Sequence, residues 1–333
     1  MKKIILLSLS LIISFSFFAN AEPTKKFGAR YWHSEGETEW SHCASDACGG
    51  SLADATLNGF SYTQYGDTTS KLTYEDTKAK VLEIFGDFSL PAADDSEVLS
   101  FKLGVGSGDG GSFRDTDWVM NDAGDQRSFS DTLSDTRDTE VSYLILDIGK
   151  IFERDKFSFK PFMGYIKYEE EVNAYGLNYL EDDLGYYNNG SFGVDSSLID
   201  TKVIKNEITW RGLRIGSEFE YSIKEKNKLI INAAYVHDAK ADNDDSHVLR
   251  TAANDLGPAP NIFSDGKGDG IMLDLILTHE QSAKLNFDAG YRYWKFDVDS
   301  STTSFGPNHT TAFPGRSLYS ERSGLIASVS YNF

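Results

Sequence analysis

Apolar and polar side chains alternate along much of this chain. In its last nine residues, Leu325, Ala327, Val329, Tyr331 and Phe333 take every second position. Ser328, Ser330 and Asn332 lie between them, and Ile326 is the one exception. Successive side chains of a strand point to opposite faces, so period two predicts a strand with one apolar face and one polar face. Leu285, Phe287, Ala289, Tyr291 and Tyr293 alternate with Asn286, Asp288, Gly290 and Arg292 in the same way. So do Leu213, Ile215, Phe219 and Tyr221 with Arg214, Gly216, Glu218 and Glu220. Around 72–88 and 138–150 the two faces are mixed. Together these segments predict ten strands, near 26–40, 70–90, 97–110, 137–152, 157–174, 204–222, 228–241, 268–280, 283–299 and 319–333.

The connections alternate in length. Short polar turns are predicted at Pro91–Ser96, Glu153–Lys156, Lys224–Asn227 and Glu280–Ser282, and long ones near 41–69, 111–136, 175–203, 242–267 and 300–318. An even strand number with this rhythm predicts an all-β fold: a ten-stranded antiparallel transmembrane β-barrel with periplasmic turns and long extracellular loops. Closure pairs every backbone group, which is how strands cross a bilayer. The terminal Phe333 is typical of the last strand of a bacterial outer-membrane barrel. At the other end, Lys2 and Lys3 precede an apolar run from Ile4 to Phe18 and the triplet Ala19-Asn20-Ala21. That is a secretory signal peptide over 1–21, too short for a membrane helix, with 22–333 forming one barrel. Ten strands enclose a narrow lumen, expected to be filled by inward side chains and some water, which moves function to the loops or the rim.

Composition adds to this picture. The chain has 17 Tyr and 22 Phe, as aromatic girdles at both membrane interfaces require. Its net charge of -19, from 51 acidic and 32 basic residues, excludes nucleic acid as a partner and suits cationic substrates or bridging divalent ions. The two cysteines, Cys43 and Cys48, are close enough in an exported chain for a short local disulfide. The rival C-x4-C metal site lacks a second ligand pair.

Two constellations carry candidate chemistry. In Asp115-Thr116-Asp117-Trp118 the two carboxylates are two residues apart, so an extended backbone points both to one side. Such a pair repels, which raises one pKa and lets the couple share a proton or hold a water. In Asp242-Asn243-Asp244-Asp245-Ser246-His247, Asp245 and His247 are likewise two apart. A carboxylate beside an imidazole favours the charged ring and fixes its orientation, and such a ring can activate water as a general base. The plain alternative for both stretches is a solvated acidic loop. A calcium loop lacks the Gly and Glu positions of an EF-hand. His237 and Asp238, adjacent on a strand, are expected on opposite faces.

In order and spacing, these segments resemble the omptins, outer-membrane proteases with a ten-stranded barrel. Asp115–Trp118, Ser134–Thr139, Phe162–Tyr165, Asp242–His247 and Ser330–Phe333 carry the resemblance. It implies an endopeptidase in which Asp115 and Asp117 face Asp245 and His247 across the extracellular mouth and hold the attacking water. It implies neither metal nor organic cofactor, a peptide or protein substrate, and outer-membrane lipid, with lipopolysaccharide as a candidate partner. Two positions depart from the pattern. The acidic specificity residue four before the His is Asn243 here, flanked by Asp242 and Asp244. The Glu at the end of the first strand falls near Trp40, with Glu37 and Glu39 close by. A non-catalytic barrel, either a small pore or a surface adhesin, is the alternative from a different class.

Overall fold

The computed structural model describes residues 25–43, 50–57, 60–66, 68–89, 97–120, 126–182, 193–252, 255–306 and 311–333. The signal segment 1–21, the turn at 91–96 and Cys48 lie outside the described residues. Ten long strands form a closed ring. They are β1 (Lys25–Cys43), β2 (Thr68–Ser89), β3 (Glu97–Gly108, continuing as Ser112–Met120), β4 (Gln126–Lys150), β5 (Phe157–Asp182), β6 (Lys202–Lys224), β7 (Asn227–His247), β8 (Ile262–Glu280), β9 (Leu285–Phe305) and β10 (Thr311–Asn332). Each pairs antiparallel with its chain neighbours, and β10 closes the ring on β1 through pairs such as Ala29 with Val329. A hairpin of Gly50–Leu57 and Phe60–Gly66 extends the β1–β2 connection.

The ten strands are those the alternation predicts, but they run further outward. Residues 126–136, 242–247, 262–267, 300–305 and 311–318, expected in loops, continue as strand. Above the bilayer no lipid demands an apolar outer face, so the alternation fades while the hydrogen-bonded ladder goes on.

The apolar face points out. Met163, Leu213 and Leu325 are 65%, 66% and 67% exposed, and Ile271, Leu273, Leu275 and Leu277 lie on the same surface. This is the lipid-facing belt of a membrane barrel, edged by exposed aromatics such as Tyr165 and Tyr235 above and Phe157, Phe287 and Phe333 below. Ile326, the exception to the terminal alternation, is buried inside.

The lumen is packed at its waist. Arg292 is fully buried and donates Nε and Nη2 to Asp274 at 2.8 and 2.9 Å, and Nη1 to Glu83 and to the Tyr143 hydroxyl, both at 2.8 Å. Arg30 adds a 2.8 Å bond to Glu83. Over this network lie Trp32 and Trp294, ring centroids 5.1 Å apart, with Tyr143 4.8 Å from Trp294. Arg322 forms a second buried cluster with Glu170 at 2.9 Å.

Just above the belt the strands change phase. Asp76 in β2, Asp138 in β4 and Asp238 in β7 have positive φ of 53°, 52° and 49°. Below each, buried positions have one parity: Val81 and Glu83 in β2, Val141 and Tyr143 in β4, Ala234 and Val236 in β7. Above, the parity flips: Leu72 and Tyr74 in β2, Thr132, Ser134 and Thr136 in β4, Ala239 and Ala241 in β7. Each Asp occupies a β-bulge, where one extra residue turns the rest of the strand over; β3 makes the same change at Gly110 and Gly111. One consequence corrects the sequence reading: His237 and Asp238 are both exposed, not on opposite faces. Short polar side chains tolerate left-handed backbone, whereas branched ones do not. Asp238→Val is therefore expected to cost about 1–2 kcal/mol and Asp238→Gly much less, as read from denaturant midpoints of the refolded barrel.

Candidate functional site

Asp245 lies ten residues further along β7 than Tyr235 at the belt edge, roughly 30 Å of extended chain. The site therefore stands well outside the lipid. The phase change at Asp238 turns Asn243, Asp245 and His247 inward, and all three are buried. His247 Nε2 sits 3.4 Å from Asp245 Oδ1. The other oxygen of Asp245 accepts from the Tyr74 hydroxyl at 2.9 Å and from Trp40 Nε1 at 3.3 Å. The side chain of Asn261 clasps the backbone of His247: Oδ1 accepts from its N–H at 3.0 Å and Nδ2 donates to its carbonyl at 3.3 Å.

Asp115 and Asp117 lie in the outer part of β3, opposite Leu72 and Ser70 of β2. Asp115 is buried and Asp117 partly so. Phe113, on the same face, packs against Tyr74 with ring centroids 4.6 Å apart. Tyr74 thus bridges the two couples, touching Asp245 through its hydroxyl and the β3 wall through its ring. Asp115 feels the charges of both Asp117 and Asp245. Three buried atoms here have no hydrogen-bond partner: Asp115 Oδ1, Asp245 Oδ1 and His247 Nε2.

Burial governs the electrostatics. It pushes Asp245 up to about 7, opposed by the hydrogen bonds from Tyr74 and Trp40. It raises Asp115 well above the usual carboxylate range, with Asp117 and Asp245 adding repulsion. Asp117 rises to about 6, against a hydrogen bond from Ser70 and the charge of Arg250. His247 falls to about 3 because burial penalises the imidazolium and Arg250 repels it. The expectation of a charged imidazole is thus corrected. Burial favours the neutral imidazole of His247 and the protonated form of Asp115, and places Asp245 near its midpoint at neutral pH. Arg250 follows His247 in a turn and is held by Asp255 at 2.8 Å.

By sequence the chain matches no family model and no curated protein. Among solved structures it is similar to the outer membrane protease OmpT from Escherichia coli, at 12% identity, with 95% of this chain and 99% of that one covered and a TM-score of 0.69. This chain has the OmpT fold. The translocator domain of the autotransporter NalP from Neisseria meningitidis aligns at 11% identity, covering 100% and 96%, with a TM-score of 0.36. The β domain of the Bordetella autotransporter BrkA aligns at 12%, covering 92% and 98%, with a TM-score of 0.30. The OmpT fold and the outward apolar belt together make this an outer-membrane barrel, with membrane lipid around its lower half.

On this OmpT-like frame, the four residues singled out by spacing stand at the outer mouth, but on strands rather than on solvated loops. Ser134–Thr139 does not join them: Ser134 donates to the Gly176 carbonyl at 2.6 Å, and Arg137 pairs outside with Asp200. Cys43 ends β1, buried. His42 beside it is held near pKa 4 by burial, between the rings of Trp40, Phe305 and Phe313. Sequence reasoning missed Tyr74, Trp40, Asn261 and Arg250. Arg250 stands three residues after His247, but Tyr74 and Trp40 have no such neighbour, and only the closed ring brings them, from β2 and β1, to Asp245.

Proposed function

We propose that this barrel is an outer-membrane endopeptidase that activates a water between Asp115/Asp117 and Asp245/His247. The observation supporting this reading is the group of three buried polar atoms at the outer mouth that make no hydrogen bond: Asp115 Oδ1 on one side, and on the other Asp245 Oδ1 and His247 Nε2, which approach each other at 3.4 Å. Such groups are costly unless something polar fills the space between them. With Nε2 turned to Asp245, Nδ1 of His247 is left to take a proton as water attacks the peptide carbonyl. Ionised Asp245 then stabilises the imidazolium, and the proton passes on to the leaving amine. Protonated Asp115 donates a hydrogen bond to the developing oxyanion, while Asp117 positions the water. No step calls for a metal or an organic cofactor. The omptin-like substrate class, a peptide or unfolded protein segment, and a role for lipopolysaccharide belong to the same proposal. Cleavage of a peptide library by refolded protein, with and without lipopolysaccharide, tests it.

The pore alternative fits less well, because Arg292, Trp32, Trp294 and Tyr143 fill the waist. A pH profile distinguishes a working site from an inert one. Ionised Asp245 is the active form, so kcat/KM is expected to rise as pH passes the carboxyl's value of about 7. Tyr74 holds that value down by its hydrogen bond. Tyr74→Phe removes the bond, raises the pKa of Asp245 and moves the acid limb to higher pH. A limb that stays in place in Tyr74→Phe would assign it to another group.

A further inference from the structure

We propose that the mouth carries a subsite for an uncharged carboxamide side chain, built by Asn206 and Asn243, so that the substrates are peptides with Gln or Asn beside the attacked bond. This rests on the endopeptidase reading of the neighbouring couples. Asn206 and Asn243 are each 1% exposed. In both, the amide oxygen and the amide nitrogen are buried without a hydrogen-bond partner. No other described residue near the mouth leaves a whole amide group unpartnered in this way.

Their placement ties them to the site. Asn206 of β6 is paired directly with Asp245 of β7, and Asn243 lies one inward position before Asp245 on the same strand. Asn243 also faces Ser264 of β8, whose hydroxyl is bonded to Thr303 at 2.9 Å. The floor is Trp210, which donates Nε1 to Ser320 at 3.0 Å. Apart from Ile208, which is paired with Asn243, these wall residues offer neutral polar groups. The acids beside them are engaged by other partners: Asp245 with Tyr74, Trp40 and His247, Asp242 with Arg211 on the outer surface, and Glu39 with Lys71 at 2.5 Å and Ser317 at 2.7 Å. A cationic side chain entering here would lose its water and meet amides, hydroxyls and Ile208, with the nearest carboxylate, Asp245, already held by Tyr74, Trp40 and His247, a costly exchange for a charge. A carboxamide carries both donors and an acceptor, and two asparagines offer it the complementary set. A purely apolar side chain would leave four buried polar atoms unmatched, which a site built to hydrogen-bond rejects strongly.

The test separates binding from cleavage. Short peptides differing at one position, with Gln, Asn, Lys, Arg or Leu, are titrated against the refolded His247→Ala barrel by fluorescence anisotropy and digested by the unmutated protein. Gln and Asn peptides are expected to bind about tenfold or more tighter than the others, the return on one or two net hydrogen bonds. Asn243→Asp is expected to invert the order towards Lys and Arg. Equal or tighter binding of Lys or Arg peptides by the chain with Asn243 intact overturns the subsite. So does an order unmoved by Asn243→Asp in a barrel that still shifts on heating in gels. If that variant fails to assemble, the ranking with Asn243 intact decides alone. Binding in the expected order without digestion overturns the protease reading and leaves the subsite standing; no binding by any peptide overturns the subsite.

Discussion

His247→Ala is expected to lower peptide cleavage by roughly 10²-fold or more, the scale of general-base catalysis, while the barrel still assembles. Assembly is safe because His247 stands far above the apolar belt, and its loss exposes no lipid-facing surface. Asp245→Asn is expected to act similarly. It keeps the shape that receives Tyr74 and Trp40 but removes the negative charge that stabilises the imidazolium. The control is His237→Ala. That ring is on the outer wall, 72% exposed and 3.6 Å from Asp269, so activity should stay nearly intact. Initial rates on one fluorogenic peptide, with assembly checked by heat-induced mobility shift, settle the matter. Cleavage that survives His247→Ala removes the protease assignment and leaves the barrel in place.

Arg292→Met is expected to be the most destabilising single change at the waist. Arg292 gives two bonds to Asp274, one to Glu83 and one to Tyr143, all in a fully buried setting. Removing the cation strands carboxylates away from water. Breaking a buried pair in this way costs about 3–5 kcal/mol. Arg30 still reaches Glu83 at 2.8 Å, whereas Asp274 loses both of its short bonds and keeps only the longer approaches of Lys102 at 3.6 Å and Arg30 at 3.9 Å. Adding Asp274→Asn and Glu83→Gln to the variant should recover part of the stability, because neutral amides tolerate burial better than unpaired charges. Urea midpoints of the refolded proteins in one detergent measure this. An unchanged midpoint in Arg292→Met would show that water, not the guanidinium, solvates these acids.

What could be read from the sequence follows the physics acting on each part. Lipid imposes a strict apolar outer face, so the ten strands and the closing pair of β10 with β1 were legible from period two. Above the belt both faces meet polar surroundings, and segments such as 126–136 and 311–318 looked like loops. The spacing of Asp115 with Asp117 and of Asp245 with His247 showed that each pair shares a face. It did not show which face. That depends on the extra residue at Asp238 and on the jog at Gly110 and Gly111, and neither leaves a mark in the hydrophobic pattern. The burial that makes His247 neutral was invisible for the same reason, as was the meeting of Tyr74, from β2, with Asp245, from β7.

The filled waist also sets a direction for traffic. A peptide held at the mouth has a floor of Trp210, Trp40 and Tyr74 beneath it and, below that, the layer of Trp32, Trp294 and Arg292. If the proposed endopeptidase reading holds, a peptide that enters from outside leaves by the same opening. Both fragments of a cut chain would return to the medium, and none would reach the periplasm as a nutrient. A cell carrying this barrel would alter its surroundings rather than feed through it, and it would do so without opening a leak in its own envelope.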